Sequence, residues 1–394
     1  MTDQITAPGP AKGRGAGLIF ILIMMWIDVL SWSVSIPVYP RLFEQFTGGD
    51  ISKTALLVVV FSTGFALIQL FAAPVLGALS DHYGRRPVIL ISCFGLAIDL
   101  FVMALTTVQP NLYLLIATRV IHAVTAASNA AAMAYIADVT QPEARAKAFG
   151  YVGASFGIGF IVGPGIGGIL GGIHLGLPFL VGGVLALTNF AYGLFVLPES
   201  LAKESRRPFV VNEANPLGAL KFLSSDRILL SLAAVSFVMA LAHQVYPSVW
   251  VLYTQFRYNW DTMAVGVTLA VSGVLSAIVQ TTLIQPIVTK FGERRAVMIG
   301  LSCWFIAHFV MANASNWMVF VAAMIPGALS GLAGPALNSL LSRRVASDRQ
   351  GELQGATTSM QSLTGVIGPT LFAGSFAYAT ATNSALHVPG APFF

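Results

Sequence analysis

The chain has 394 residues, of which 56% are hydrophobic and only 9% are charged. Soluble domains carry about 25% charged residues, so this chain has too little charge to cover a water-exposed surface. The composition excludes a soluble enzyme or nucleic-acid-binding protein, despite a formal net charge of +5. The two cysteines, Cys93 and Cys303, lie in separate apolar runs and form neither a metal-ligand spacing nor a disulfide framework.

Long apolar runs recur along the chain, and each is long enough for a transmembrane helix, which needs about 20 apolar residues. The first run is too long to be a cleaved signal peptide. Residues 1–15 predict a disordered cytoplasmic tail. We expect an all-α membrane protein with eleven visible spans, numbered 1 to 11, at roughly 17–39, 54–79, 87–107, 111–138, 144–172, 177–197, 228–254, 263–288, 295–314, 316–342 and 352–379.

The basic residues orient these spans. With the N-terminus in the cytoplasm, only Arg41, Lys53 and Arg257 of the 21 Lys and Arg residues fall in outside loops, and Arg119 lies within span 4. This bias predicts a multi-pass inner-membrane protein with a cytoplasmic N-terminus. The basic charge then faces the anionic inner leaflet, so it needs no nucleic-acid partner.

The chain repeats itself at an offset of 205 to 208 residues. We therefore expect two six-helix pseudo-repeats, 16–197 and 228–394, joined by a polar cytoplasmic linker at 198–227, with a substrate site between them. Three pairs of motifs carry the repeat: Gly84-Arg85-Arg86 with Gly292-Glu293-Arg294-Arg295, Gly163-Pro164 with Gly368-Pro369, and the loops Glu143…Gly150 and Asp348…Gly355.

The second half shows five spans where the repeat predicts six. The final residues, 389–394, resemble Gly176-Leu177-Pro178-Phe179, which opens span 6. A twelfth helix is therefore expected to begin where the sequence stops. A truncated sequence and a natural eleven-span protein both fit this pattern.

The loop after span 2 reads G-x-L-x-D-x-x-G-R-R-P from Gly77 to Pro87. Glycines permit a tight turn, and an acid with two arginines can lock one helix against its neighbours. The alternative is that the arginines serve only as membrane anchors. We predict a gating loop formed by Gly77, Asp81, Gly84, Arg85 and Arg86, with Asp138 of span 4 as an ion-pair partner. This loop resembles the signature loop of the major facilitator superfamily, whose fold is two six-helix repeats.

Span 5 carries glycines at helical spacing around a proline, which let helices approach closely. Packing alone is one interpretation. The other is that Gly159, Gly163, Pro164, Gly167 and Gly168 resemble the G-x-x-x-G-P-x-x-G-G element of that superfamily's antiporters, which implies a gate hinge and a seal against proton leak.

Residues 20–380 resemble the tetracycline efflux branch of the drug:proton antiporters. The resemblance rests on Asp28 with Pro37 and Pro40, on the segments 77–87, 134–138 and 197–200, and on Gln244, 253–261, Asp99, Gln69 and Gln280. Three features depart from the branch. The opening of span 2, residues 55–61, lacks the polar residues that the branch places near the substrate. The segment 302–305 offers no acid in span 9, and His122 with Ala123 replaces a small residue and a glycine.

Three charged residues, Asp28, Asp99 and Arg119, lie well inside spans, where each costs about 2.5–3.5 kcal/mol on insertion scales. We expect Asp28 to be the proton site, because a carboxyl group in an apolar span can exchange protons. Arg119 is expected to stand opposite Asp28, with a static ion pair as the alternative. Asp99 is expected either to face the cavity or to pair structurally.

Polar residues on the spans that should line the substrate cavity complete the predicted site. His122 is also a candidate proton carrier, although a lone membrane histidine is more often a helix contact. The predicted cavity residues are Gln69, His122, Asn129, Gln244, Tyr246, Gln280, Asn338 and Gln361.

The sequence as a whole favours a proton-coupled antiporter that exports small amphipathic, drug-like molecules. Uptake by symport is the alternative, and a non-transporting scaffold is a more distant one. No H-E-x-x-H or P-loop is present, so we expect neither an enzyme nor ATP drive. We expect no cofactor and no metal, with the proton gradient as the energy source, and a monomer embedded in lipid.

Overall fold

The computed structural model describes residues 14–126, 128–141, 145–206, 223–224, 226–345, 350–381 and 388–394. Throughout this part of the chain the regular structure is helical, without strands. Ten helical stretches are long and apolar enough to cross a membrane. The chain is thus a multi-pass, all-α membrane protein.

The first half contains six spans, as predicted. Spans 2, 3, 5 and 6 are continuous helices, whereas spans 1 and 4 are each built from two helices. The helices are Arg14–Ser33 with Tyr39–Thr47, Ile51–Tyr83, Arg85–Thr106, Leu112–Thr125 with Ser128–Val139, Arg145–Ile173, and Leu177–Phe195.

The second half follows the same plan over five spans. Span 8 contains a π-helical turn, Val279–Leu283, and span 11 is a continuous helix that is less apolar than the ten membrane-length stretches. The helices are Arg227–His243 with Val245–Tyr258, Thr262–Ile278 with Ile284–Phe291, Glu293–Asn313, Trp317–Ala322 with Met324–Leu329 and Ala333–Ser342, and Gln350–Thr380.

Among the described residues, four spans that start at one end of the bundle begin at a side-chain cap. Asp50, Asn111, Asp261 and Asn316 each accept a hydrogen bond from a backbone N–H in the first turn of spans 2, 4, 8 and 10. Such caps satisfy donors that a helix start leaves free. All four lie at the same end of the bundle, here called the arginine-poor end. The opposite end carries Arg85, Arg86, Arg294, Arg295, Arg343 and Arg344 and is called the arginine-rich end.

Interrupted helices recur in the repeat, because the offset maps span 1 onto span 7 and span 4 onto span 10. Span 1 is interrupted between Ser33 and Tyr39, and span 4 at Ala126. Span 7 is interrupted at Gln244, just before Pro247, and span 10 at several points. Proline removes a backbone donor and disfavours a continuous helix. Interrupted helices around a central site are a recurrent feature of transporters.

The two halves meet along two seams. Span 5 packs along span 8, and span 11 packs along span 2. The repeat offset maps span 5 onto span 11 and span 2 onto span 8. The two seams are therefore related by the pseudo-symmetry of the halves. Along the second seam, Ser52 Oγ donates to the Ala377 carbonyl at 2.8 Å, and the Thr63 and Thr370 hydroxyls lie 3.0 Å apart.

Among the described residues, the hydrophobic core is continuous between the halves only at the arginine-poor end. There, Phe43 and Phe61 belong to the same buried cluster as Trp250, Phe320 and Phe393. Towards the arginine-rich end, the buried clusters each contain residues of one half. The bundle is therefore closed at the arginine-poor end, and its halves separate towards the other.

Candidate functional site

A buried carboxylate, Asp99, lies at the centre of the first half. It is fully buried on span 3, and its Oδ2 is 3.2 Å from Arg119 Nη1 of span 4. The same oxygen lies 3.0 Å from Nδ1 of His122, one turn further along span 4. Buried charges are tolerated when they are paired and hydrogen-bonded. Two polar atoms of the network, Asp99 Oδ1 and Arg119 Nε, are buried with no hydrogen-bond partner in the described structure.

Aromatic side chains from spans 1 and 2 enclose Arg119. Its Nη2 donates to the Tyr39 hydroxyl at 3.0 Å, and its guanidinium carbon is 5.4 Å from the ring centroids of both Tyr39 and Phe65. The Phe65 ring also lies 5.1 Å from the His122 ring. Cation–π contacts of this kind stabilise a cation away from water. One ionic network therefore connects spans 1 to 4.

Asp28 occupies a second position, deeper towards the arginine-rich end of span 1. Its Oδ2 accepts a hydrogen bond of 3.0 Å from Ser128 at the start of the second helix of span 4, and Cys93 Sγ lies 4.0 Å from Oδ1. Asp28 lines a small cavity together with Asn129, Phe156 and Asn189. It has polar neighbours but no cation within ion-pair distance among the described residues.

The expected pairing of Arg119 with Asp28 is wrong in this structure. Arg119 pairs with Asp99, which leaves Asp28 with neutral hydrogen-bond partners. The physical reason is the orientation of span 4, which directs Arg119 towards span 3. For Asp99 the sequence left two alternatives, a cavity-facing role or a structural pair. Its side chain is fully buried and ion-paired in this structure.

Three of the remaining cavity residues have defined contacts. The Gln69 side-chain amide donates to the Ala126 carbonyl at 2.8 Å and so gives a hydrogen-bond partner to a backbone group at the interruption of span 4. Gln244 interrupts span 7, and its side chain packs against Gly368 of span 11. Tyr246 lies among rings of spans 7 and 9. Asn129, Gln280, Asn338 and Gln361 are exposed on their helices.

An aromatic and histidine cluster on spans 7 and 9, which sequence reasoning did not predict, forms the centre of the second half. The Tyr246 ring centroid is 5.4 Å from those of His243 and His308. Trp304 Nε1 donates to His308 Nε2 at 3.1 Å. The sequence signal was the spacing of Trp304 and His308, one helical turn apart, opposite His243 and Tyr246.

The predicted gating loop forms a charge cluster at the arginine-rich end of the first half. Arg85 Nε is 3.2 Å from Asp138 Oδ2, and its Nη1 pairs with Asp81. The Arg86 guanidinium instead donates to the Leu194 carbonyl of span 6. Gly77, earlier in span 2, has open space on its Cβ side. The loop thus connects spans 2, 3, 4 and 6 within one half.

Glu199 completes this cluster, although sequence reasoning assigned it no role. Its carboxylate accepts hydrogen bonds from the backbone N–H groups of Arg85 at 2.9 Å and Arg86 at 3.2 Å, which caps span 3. Gly84 precedes them with φ of 112°, and a Cβ there would collide with the Glu199 carboxylate. The tight approach explains the glycine. Ser200 then donates to Asp138 at 3.0 Å.

The glycines of span 5 provide contact surfaces on two sides. Gly159, Gly163 and Gly167 face span 1, where Ser33 Oγ donates to the Gly159 carbonyl at 3.1 Å. Gly168 faces span 8 at Thr262 and Gly266. The helix Arg145–Ile173 is continuous through Pro164. In this conformation the element packs helices together, and its action as a hinge stays a prediction.

The match to a family profile shows to which family this chain belongs. The profile described as Major Facilitator Superfamily matches residues 21–376. The chain belongs to the major facilitator superfamily. The predicted fold and the predicted family are thereby confirmed, and the chain is a transporter of a non-enzymatic family.

Relatives within the major facilitator superfamily include the class C tetracycline resistance protein of Escherichia coli. It is 38% identical over 381 residues, which cover 96% of this chain and 94% of the relative. The class H tetracycline resistance protein of Pasteurella multocida is 32% identical, with 92% and 90% covered. The predicted resemblance to the tetracycline efflux branch is confirmed by these relatives.

Solved structures of major facilitator superfamily transporters share the fold. The human organic anion transporter TETRAN superposes with a TM-score of 0.71 at 21% identity, covering 98% of this chain and 99% of that one. The nucleoside transporter NupG superposes with a TM-score of 0.73 at 14% identity, with 96% of each chain covered. At these identities the comparison concerns the fold alone.

Proposed function

We propose that the chain is a proton-coupled antiporter that exports small amphipathic, tetracycline-like or multidrug-type molecules across the inner membrane. It acts as a monomer, with a cytoplasmic N-terminus and with bundles 16–197 and 228–394 joined by a cytoplasmic linker at 198–227. The proton gradient drives transport, and no cofactor takes part.

The observation that carries the proposal is the ionic network of spans 1 to 4. Asp99, Arg119 and His122 lie far from the loops, and Asp28 lies nearby in its own cavity. Ionisable groups inside a membrane are costly, and in transporters they mark proton and substrate pathways. The names of the tetracycline resistance relatives support drug export by the same fold.

Substrate would bind between the halves, on the faces of the interrupted spans 1, 4, 7 and 10. The first half offers the ionic network, and the second offers the rings around Tyr246. An amphipathic molecule has a polar and an apolar part, so it matches both surfaces. The predicted cavity residues Gln69, Asn129, Gln244, Gln280, Asn338 and Gln361 would contact it in one or more states of the cycle, whereas His122 is held by Asp99 instead.

Alternating access follows from the two seams. The structure is closed at the arginine-poor end, and Gly153 and Gly157 of span 5 have open space on their Cβ side. With the arginine-rich end in the cytoplasm, this is the state that admits substrate from inside. Rocking of one half against the other would close the gating loops and open the opposite end.

The test is tetracycline transport in proteoliposomes of the purified chain under an imposed pH gradient. An antiporter accumulates tetracycline when the lumen is acidic, because protons leave as the drug enters. A symporter accumulates it when the outside is acidic. Protein-free liposomes correct for passive partition of the drug. Accumulation under neither gradient would contradict transport of tetracycline, and accumulation under the opposite gradient would establish symport.

A further inference from the structure

His122 holds an unusual position among the histidines of the spans. His308 has both ring nitrogens engaged by its own helix, Nε2 by Trp304 Nε1 at 3.1 Å and Nδ1 by the Trp304 carbonyl at 3.0 Å. His243 contacts the rings of Tyr246 and Trp304. His122, by contrast, has a buried carboxylate as its partner, with Nδ1 3.0 Å from Asp99 Oδ2.

The second ring nitrogen of His122 is not engaged by the network. The His122 side chain is 13% exposed, whereas that of Asp99 is 0% exposed. Within the part of the chain that the structure describes, Nε2 has no hydrogen-bond partner. A partly exposed imidazole therefore contacts a carboxylate that is fully buried.

The groups facing His122 come from each neighbouring span. Span 3 contributes Asp99. Span 4, the span of His122 itself, contributes Arg119, which pairs with the same Asp99 oxygen as His122. Span 2 contributes the neutral ring of Phe65. Span 1 contributes Asp28, within electrostatic range. Two carboxylates and one guanidinium surround the imidazole, so either protonation state of His122 can be balanced by charge.

We propose that His122 carries protons between the cavity and Asp99 during coupling, a role that rests on the proposed antiport. Nε2 accepts a proton from a hydronium ion, which leaves a water molecule and the imidazolium. Nδ1–H then donates its proton to Asp99 Oδ2, which leaves a neutral imidazole and a neutral carboxylic acid. Return of the proton follows the reverse path. Histidine suits this step because its charge changes near neutral pH.

The consequence of the transfer falls on Arg119. Once Asp99 is neutral, the guanidinium keeps the Tyr39 hydroxyl and the Tyr39 and Phe65 rings but loses its anionic partner. Arg119 then favours a new anion, either the Asp28 carboxylate or a polar group of the substrate. Proton arrival at His122 is in this way converted into a rearrangement of spans 1 to 4.

The experiment compares two modes of tetracycline transport in proteoliposomes. Gradient-driven accumulation requires proton turnover, whereas exchange of labelled for unlabelled tetracycline at equal pH does not. The variant His122→Asn retains a side-chain donor near the position of Nδ1 but cannot relay a proton. His122→Gln provides a second substitution, and His174→Asn, in the loop after span 5, provides the control.

We expect His122→Asn to lower gradient-driven accumulation roughly 100-fold, the usual contribution of a positioned proton-transfer group, while exchange persists. The control should resemble the parent protein in both modes. Normal gradient-driven transport by His122→Asn, with an unchanged pH profile, would overturn the proposal. Loss of exchange in both His122 variants would also overturn it, because the residue would then be structural. Failure of the unsubstituted protein would instead contradict the proposed antiport.

Discussion

The two halves of the molecule contain the same ion pair with its charges reversed. In the first half, Arg85 after the loop glycine pairs with Asp138 at the end of span 4. The repeat maps these positions onto Glu293 and Arg343. Glu293 Oε1 lies 2.9 Å from Arg343 Nη2. The repeat has therefore retained a contact between two helix ends, and either arrangement of the charges satisfies it.

The centres of the halves differ in kind. Asp99 maps onto Ala307, so the buried carboxylate of the first half has an apolar counterpart in the second. There the neighbouring Trp304 and His308 belong to an aromatic cluster with Tyr246. The halves thus share their helix ends and their seams but not their central chemistry. This difference suggests that proton handling belongs to the first half and contact with apolar substrate to the second.

Neutralising Asp28 should have the largest effect. We expect Asp28→Asn to abolish gradient-driven tetracycline transport, because the amide keeps the shape of the side chain but carries no exchangeable proton. The protein should still reach the membrane. For comparison, Trp304→Phe in the aromatic cluster of the second half should leave proton coupling in place.

Substrate-induced proton release in vesicles measures this difference. Undiminished release from Asp28→Asn would remove Asp28 from the coupling pathway. Loss of release from Trp304→Phe would show that the division of labour between the halves is incorrect.

Charge reversal at the helix ends should have the next largest effect. Arg85→Glu places a fourth carboxylate beside Asp81, Asp138 and Glu199, and like charges at close range repel. We expect a strong loss of transport, and only partial recovery in the double variant with Asp138→Arg, since Asp81 stays nearby.

Glu293→Arg in the second half should have a milder effect. Its partner Arg343 has a side chain that is 74% exposed, and the repeat counterpart of Asp81 there is the neutral Thr289. Exposed ion pairs contribute little. The double variant with Arg343→Glu should recover fully. Equal losses and equal recoveries in both halves, measured as transport per amount of membrane protein, would contradict the asymmetry.

A smaller effect is expected from Asp81→Asn, which keeps a hydrogen-bond acceptor beside Arg85 but removes the charge. We predict slower transport with nearly unchanged tetracycline affinity, because in the proposed mechanism the gating loop serves the switch between states and does not contact substrate. Equilibrium binding and transport rate must be measured separately. A variant that transports at the normal rate would leave the loop only an anchoring role.

The smallest effects concern stability at the two loop glycines. Gly84 and Gly292 have φ of 112° and 80° with ψ near 160°, a region that other residues rarely adopt. An alanine in such a conformation costs about 1–3 kcal/mol. Gly84→Ala should cost about 1 kcal/mol more than Gly292→Ala, because it also displaces the Glu199 cap.

Thermal denaturation of the two glycine variants in detergent measures this comparison. The variant at Gly292 meets no atom within 4 Å, so it reports backbone strain alone. A lower midpoint for Gly292→Ala than for Gly84→Ala would show that the cap contributes little.

The sequence predicts the order of the spans, the repeat and the charged loop after span 2. These follow from apolar length and from glycine and charge placement, which are local properties of the chain. It also identified Asp28, Asp99 and Arg119, because a charge inside an apolar run stands out.

Which of these residues meet depends on how the helices pack, and the sequence pattern does not specify that packing. Spans 3 and 4 are apolar on most faces, so their patterns do not define which face packs against a neighbour. The rotation of span 4, set by its packing against spans 2 and 3, placed Arg119 and His122 on Asp99 and left Asp28 with Ser128. The same reason explains the aromatic cluster of spans 7 and 9 and the Glu199 cap. Each joins residues far apart in the chain, through contacts that helix packing creates.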